Sequence, residues 1–76
     1  MLINFKGWKY NTEVECNESI TQLNSYFDVI PPMVAAISNE GNYNNETFYY
    51  ITESPALPIS EVLGEPSDIT IEEQDI

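Results

Sequence analysis

Apolar and polar side chains alternate at the start of the chain, which is the pattern of a β-strand. The side chains that share one face at period two are Trp8, Tyr10, Thr12 and Val14. Gly7 separates this run from residues 2–5, three of which are apolar, and a glycine between two strand patterns favours a tight turn. We therefore predict a hairpin over residues 2–15, with its turn at Lys6 and Gly7.

The hydrophobic period then becomes helical. Apolar side chains recur at the i, i+3, i+7 spacing of one helical stripe, formed by Ile20, Leu23, Phe27 and Ile30. Asn17 or Ser19 offers a side-chain oxygen that would cap the first free amides. Pro31 and Pro32 should end this helix, because proline disfavours helical geometry in the residue before it.

The middle of the chain predicts a second hairpin. Residues 33–38 form a short apolar run, which we interpret as a strand, and residues 39–42 are rich in turn-forming Asn and Gly. Residues 46–53 then carry the aromatic and β-branched side chains that strands favour, with Thr47, Tyr49 and Ile51 on one face and Phe48, Tyr50 and Thr52 on the other. The hairpin would therefore have a long tip.

The last part of the chain predicts one short helical turn and a final strand. Residues 59–63 would form the turn, which Gly64 would end, and residues 68–73 alternate acidic or Thr side chains with isoleucine. The chain as a whole is expected to be a single acidic α+β domain over residues 1–76, mostly an antiparallel sheet of about four strands with one main helix, in the order ββαββ. We expect the residues after Asp75 to fray.

Charge dominates the composition. Thirteen acids and two lysines, with no arginine, give the 76 residues a net charge of −11. Direct binding to nucleic acid or to an anionic membrane needs clustered Lys and Arg, so both are excluded as functions. The hydrophobic fraction of 42% is too high for a disordered chain.

The cysteine content and the apolar runs indicate the compartment. Cys16 stands alone, so an internal disulfide is excluded. Neither a signal peptide nor an apolar run of membrane-spanning length is recognisable. We expect a soluble protein of the bacterial cytoplasm.

The side-chain inventory argues against catalysis. The chain has no His and no Arg, so acid–base chemistry would depend on carboxylates, tyrosines and two lysines, and Cys16 has no histidine to activate it. Residues 39–46 are too short for a calcium loop. We predict no enzymatic activity, no cofactor and no metal site.

The excess of acid itself is the strongest functional signal. Solubility of a small domain needs a net charge of only about 2–8 in magnitude, and this chain exceeds that range. Carboxylates on alternate strand residues lie about 6.6 Å apart on one face, near a multiple of the 3.4 Å rise per phosphate of a DNA strand. Asp68 and Glu72, four residues apart, would lie at twice that spacing on one face, about 13 Å, again near a multiple of the phosphate rise. An acidic face of this kind would imitate a nucleic-acid backbone.

In length, charge and inventory the chain resembles the DNA-mimic inhibitors of bacterial viruses, a class without a shared sequence motif. The resemblance implies a partner that is a basic DNA-binding host protein: the histone-like nucleoid protein HU, a nuclease or a polymerase. HU-like proteins suit a charge mimic because they bind DNA without base specificity. Lys6, Trp8 and Lys9 depart from the acidic pattern, and we expect them outside the interface or paired internally. The predicted partner-binding residues are Glu40, Glu46, Glu53, Glu61, Glu65, Asp68, Glu72 and Glu73.

Two other hypotheses remain open. The chain could be an immunity or antitoxin protein that caps one basic nuclease through an anchor such as Tyr43, Tyr49 or Asp28. It could also be a structural adaptor whose acidity serves only solvation. A homodimer through an exposed edge strand is open as well.

Overall fold

A computed structural model describes residues 1–73 of the chain, and the expected fraying after Asp75 lies outside them. The elements, in chain order, are β1 (Leu2–Tyr10), α1 (Glu13–Tyr26), β2 (Asn39–Tyr43), β3 (Glu46–Thr52), α2 (Ser60–Leu63) and β4 (Ser67–Glu72). The four strands form one antiparallel sheet in the order β2-β3-β1-β4. The predicted class, an α+β fold with four antiparallel strands and one main helix, is confirmed.

The predicted first hairpin is wrong, because residues 2–10 form one continuous strand. Gly7 is the point at which β1 changes neighbours: Leu2 to Gly7 pair with β4, and Gly7 to Tyr10 pair with β3. A side chain at Gly7 would overlap the carbonyl oxygen of Ile51. The glycine therefore serves a close approach of backbones and not a turn.

Helix α1 begins earlier than the apolar spacing predicted. The Thr12 hydroxyl accepts a hydrogen bond from the Glu15 amide at 3.2 Å, which caps the helix. Asn17 and Ser19 consequently lie inside α1 and not at its start. The stripe that α1 buries consists of Cys16, Ile20 and Leu23.

Helix α1 also ends earlier than predicted, at Tyr26 and not at the prolines. The Phe27 amide still donates to the Leu23 carbonyl, and Asp28 then adopts a φ of 53°. Aspartate tolerates this left-handed conformation better than most residues, so it can end a helix. Ile30 accordingly lies outside the buried stripe and is 76% exposed.

The second hairpin exists, but its boundaries differ from the prediction. Residues 33–38 form no strand, and residues 39–42 belong to β2 and not to a loop. The tip is a tight turn at Asn44 and Asn45, whose φ angles are 54° and 65°. Asparagine suits these angles, which explains how a two-residue tip replaces the long one predicted. Before this hairpin, in the segment between α1 and β2, the Pro31-Pro32 peptide bond is cis.

The sheet has two differently covered faces. The helix face carries Trp8 and Ile51, which pack with the buried stripe of α1 and with Ile59. The aromatic face carries Phe5 and Tyr50, whose ring centroids lie 4.9 Å apart, together with buried Phe48 and Ile69. Each face therefore buries its own apolar cluster.

The sheet curls toward the aromatic face until its two edge strands meet. A Cβ atom at Gly41 on β2 would lie 2.9 Å from Cγ2 of Ile71 on β4. The Asn44 amide at the hairpin tip donates to the Glu72 carboxylate at 3.3 Å. The helix face is therefore the convex side of the sheet.

The short helix and the final strand agree with the sequence patterns. Helix α2 ends at Leu63 and is capped by Gly64, whose φ is 85°. The Gly64 carbonyl accepts a hydrogen bond from Nε1 of Trp8 at 3.1 Å, which fixes α2 over the helix face. Within residues 1–73, neither helix has both the length and the apolar character to cross a membrane.

Candidate functional site

A row of three charged side chains crosses the convex helix face. The register places Lys6 on β1 opposite Asp68 on β4, and their charged groups lie 3.6 Å apart. Glu53 follows the last residue of β3, and its amide donates to the Lys6 carbonyl at 3.4 Å. Glu53 is therefore the neighbour of Lys6 on the side away from Asp68. The row thus has an acid on each side of one lysine.

Glu72 extends this acidic surface along β4. It lies four residues from Asp68 and therefore on the same face of the strand. Its carboxylate accepts the hydrogen bond from the Asn44 amide, which holds it beside the hairpin tip. Asp68 pairs with Lys6 and Glu72 pairs with Leu2, so the register places both acids on the same face of the sheet.

The α2 segment brings two further predicted residues to the same side. Glu61 accepts a hydrogen bond from the Tyr26 hydroxyl at 3.3 Å, which links α2 to α1. Glu65 follows Gly64, whose carbonyl is bound to Trp8 on the helix face. Both glutamates are exposed.

The three remaining predicted residues divide between the faces. Glu40 on β2 pairs with Tyr49, so it lies on the helix face near the free edge. Successive residues of a strand point to opposite faces of the sheet. Glu46 at the start of β3 and Glu73 after β4 are each an odd number of residues from the helix-face positions of their strands, so they lie on the aromatic side of the sheet. We name the set on the helix side the acidic face: Glu40, Glu53, Glu61, Glu65, Asp68 and Glu72, all exposed.

The acidic face is poorly compensated by cations. The Lys6–Asp68 contact is the single ion pair within residues 1–73, and its side chains are 61% and 86% exposed. An exposed pair is screened by solvent and contributes little to stability. Lys9 lies on the aromatic face, 4.4 Å from the centroid of the Phe48 ring. Lys6 is therefore paired, as expected, but it lies among the predicted partner-binding acids and not apart from them.

The strand interpretation of residues 13–15 missed a further group of exposed acids on α1. Glu13 and Glu15 occupy its first turn, and Glu18 follows in the second. The signal was present in the sequence, since Thr12 followed three residues later by Glu15 is the pattern of a capping box. Acids in a first turn stabilise a helix through its dipole, so Glu13 and Glu15 have a structural role.

The proposed anchors of a nuclease-capping protein have different surroundings. Tyr43 is 41% exposed at the hairpin, whereas Tyr49 is half-buried and packs against the helix-face core. Asp28 is exposed beyond the end of α1. Of the two tyrosines, Tyr43 is the more accessible to a partner.

The described part of the chain, residues 1–73, contains no group of three or more His, Cys, Asp and Glu side chains arranged to hold a metal ion. Cys16 lies on the inner side of α1 and is fully buried. Comparisons with protein-family models, curated sequences and solved structures give no match to this chain.

Proposed function

We propose that this chain is a DNA-mimic inhibitor, which occupies the basic DNA-binding surface of a host protein and competes there with DNA. The observation that carries the proposal is the acidic face, where six exposed carboxylates share one side of the molecule with a single lysine. The partner would be an HU-like nucleoid protein, a nuclease or a polymerase in the bacterial cytoplasm.

The dimensions of the acidic face support this proposal. Asp68 and Glu72 lie about 13 Å apart along β4, and Glu53 and Asp68 lie about 10 Å apart across two strand spacings. The first distance is close to four phosphate rises of 3.4 Å. The longest dimension of the molecule is 37 Å, which is near one helical turn of DNA at about 34–36 Å.

The charge of the chain supports competition as the mechanism. A field from a net charge of −11 attracts a basic surface at long range and accelerates the encounter. The same field repels DNA, so the inhibitor and DNA exclude each other from the partner. Inhibition should therefore weaken as salt concentration rises.

The immunity-type hypothesis is favoured by one observation, the exposed Tyr43 beside the hairpin tip. A protein that caps one nuclease would lose most of its affinity when such an aromatic anchor is removed. A Tyr43→Ala variant with sharply reduced affinity, beside unaffected acidic variants, would select this alternative.

The test is displacement of a fluorescent 20-base-pair duplex from purified HU, RNA polymerase and a restriction nuclease at about 0.1 M NaCl. The variant Glu53→Gln/Glu72→Gln removes two charges from the acidic face, and Glu46→Gln/Glu73→Gln removes two from the aromatic side. We expect the first to raise the inhibition constant about fivefold to tenfold and the second less than about twofold. Equal effects of both variants, or displacement from none of the three proteins, would contradict the proposal.

Removing a positive charge from the acidic face tests the same proposal in the opposite direction. Lys6→Gln and Lys9→Gln each make the chain more negative by one charge, but Lys6 lies in the acidic row and Lys9 lies over Phe48 on the other face. We expect Lys6→Gln to lower the inhibition constant about threefold and Lys9→Gln to leave it nearly unchanged. The displacement assay measures both, and equal gains would mean that only total charge matters.

A further inference from the structure

Residues 29–37, which we name the apolar loop, expose large hydrophobic side chains beside the acidic face. Their exposed fractions are 76% for Ile30, 72% for Met33, 53% for Val34 and 63% for Ile37. Scattered apolar residues are ordinary on a protein surface, but here four exposed ones fall within eight consecutive residues, and concentrated apolar surface is a feature of binding sites.

Asn24 on α1 fixes the position of the apolar loop. Its carbonyl accepts a hydrogen bond from the Val29 amide at 2.9 Å, and its side-chain oxygen accepts one from the Ala35 amide at 2.7 Å. Between these points, the Met33 amide donates to the Ile30 carbonyl at 3.1 Å. The backbone of the loop is thus held at residues 29 and 35, so less backbone freedom is lost when a partner binds.

A cleft of about 260 Å³ opens between the apolar loop and the sheet. Residues 34–37 form one wall, Thr52 and Ser54 form the other, and Ile51 and Ile59 line its depth. This volume lies just below the range of about 300–1,000 Å³ that drug-sized ligands occupy. It suits one large apolar side chain.

The acidic face reaches a second cleft that adjoins the first. Glu53 lines this second cleft, of about 110 Å³, together with Trp8, and the two clefts share Ser54 and Ile59. An apolar side chain in the larger cleft would therefore have a carboxylate in the adjoining cleft. A second copy of the chain would bring its own charge of −11 to this place, so repulsion disfavours self-association here.

We propose that the cleft binds an apolar side chain that projects from the basic surface of the partner protein, with Lys or Arg beside it contacting Glu53. This inference rests on the proposed function and adds a contact that salt does not screen. The acidic face would attract many basic proteins, whereas the cleft would select one that presents an apolar side chain among its cations.

The test uses two cationic peptides, Lys-Lys-Gly-Phe-Gly-Lys-Lys and the same peptide with Ser in place of Phe, titrated into ¹⁵N-labelled protein. We expect the phenylalanine peptide to shift the amide signals of residues 34–37, Thr52 and Ser54, with an affinity about tenfold above that of the serine peptide. The serine peptide should shift only signals of the acidic face. Identical shifts from both peptides, or no shift in the cleft at millimolar concentration, would overturn the inference.

Two matched variants complete the test. Ile37→Ser removes an exposed apolar side chain from the cleft wall, and Val14→Ser removes one of similar exposure, 67%, from the outer side of α1. We expect Ile37→Ser to abolish the advantage of the phenylalanine peptide and Val14→Ser to preserve it, with an unchanged amide spectrum elsewhere as evidence of folding. If Ile37→Ser also preserves it, the cleft is not the site.

The two proposals fail in different ways. If the phenylalanine peptide occupies the cleft but Glu53→Gln/Glu72→Gln leaves DNA displacement unchanged, the proposed function is wrong and the apolar site remains. If the acidic variants weaken the displacement of DNA but the phenylalanine peptide does not shift the amide signals of the cleft, DNA mimicry remains and the proposed apolar site is wrong.

Discussion

At Gly7 the backbone of β1 passes so close to Ile51 that a side chain has no space. Gly41 is also crowded, but its neighbours are the side chains of Ile71, Tyr50 and Phe48, at 2.9–3.1 Å from an added Cβ atom. Side chains can move by a few tenths of an ångström, whereas a hydrogen-bonded carbonyl in a sheet cannot. The two glycines should therefore differ in their tolerance of a methyl group.

We expect Gly7→Ala to lower the free energy of unfolding by about 3 kcal/mol or more, and Gly41→Ala by about 1–2 kcal/mol. Urea unfolding followed by the fluorescence of Trp8, the chain's one tryptophan, measures both. A Gly7→Ala protein as stable as Gly41→Ala would show that β1 can move away from β3 without loss.

Gly7 also explains why the sequence predicts a first hairpin that the structure does not contain. Glycine between two apolar runs is compatible with a tight turn and with a close contact between strands. The difference depends on whether β3 lies beside residue 7, and Thr52, which pairs with Gly7, is 45 residues away along the chain. Gly64 was predictable because its role, ending a helix, depends only on its immediate neighbours.

At the scale of elements, the start of α1 depends on its cap. Thr12→Ala removes the hydroxyl that accepts from the Glu15 amide and should cost about 1 kcal/mol of stability. Thr21→Ala is the matched control, because the Thr21 hydroxyl binds the Asn17 carbonyl within the helix and caps nothing. We expect the control to change stability by less than about 0.5 kcal/mol.

Urea unfolding with circular dichroism at 222 nm measures the helix in both threonine variants. Equal losses would mean that the start of α1 is held by packing of Cys16 and not by the cap. A loss confined to Thr12→Ala would confirm the cap that the capping-box pattern indicates.

Elements were predictable where local chemistry determined them. Residues 46–52 form the expected strand because aromatic and β-branched side chains favour an extended backbone, and β4 follows the alternation of isoleucines. The sequence predicts a turn at residues 39–42 because Asn and Gly favour turns, but pairing with β3 holds these residues in an extended strand. Tertiary contacts outweigh a local preference of that size.

The candidate site was predictable in its residue types but not in its arrangement. The sequence identifies the acids. Because every second residue of a strand points to the same face, it also predicts that Asp68 and Glu72 share one face of β4. Grouping Glu53 with Asp68 requires the register of three strands, and separating Glu46 and Glu73 requires the same knowledge. Long-range register is not encoded by any local pattern of charges.

For the whole molecule, the charge of −11 should oppose folding at low ionic strength. The Debye length of about 30 Å at 0.01 M salt is comparable to the molecule, and it falls below about 8 Å above 0.15 M. We expect the Tm to rise by about 5 °C between 10 mM and 0.5 M NaCl, as about 1 kcal/mol of repulsion is screened.

Differential scanning calorimetry measures this salt effect, and Glu53→Gln/Glu72→Gln provides the comparison. With two charges fewer, that variant should have a higher Tm at 10 mM NaCl and a smaller gain with salt. A Tm that stays constant or falls with NaCl in the original protein would show that repulsion among the carboxylates is too weak to matter.

The pairing of β1 with β4 brings residue 73 back to residue 1, where the Glu73 amide donates to the Met1 carbonyl at 2.8 Å. A short peptide linker could therefore join these two residues with little distortion, and the chain could be opened instead between Pro55 and Ala56, which are both exposed. Such a circular permutant would retain every strand contact in a different chain order. The fold depends on which strands are neighbours in space, so its acidic face is transferable to a rearranged chain.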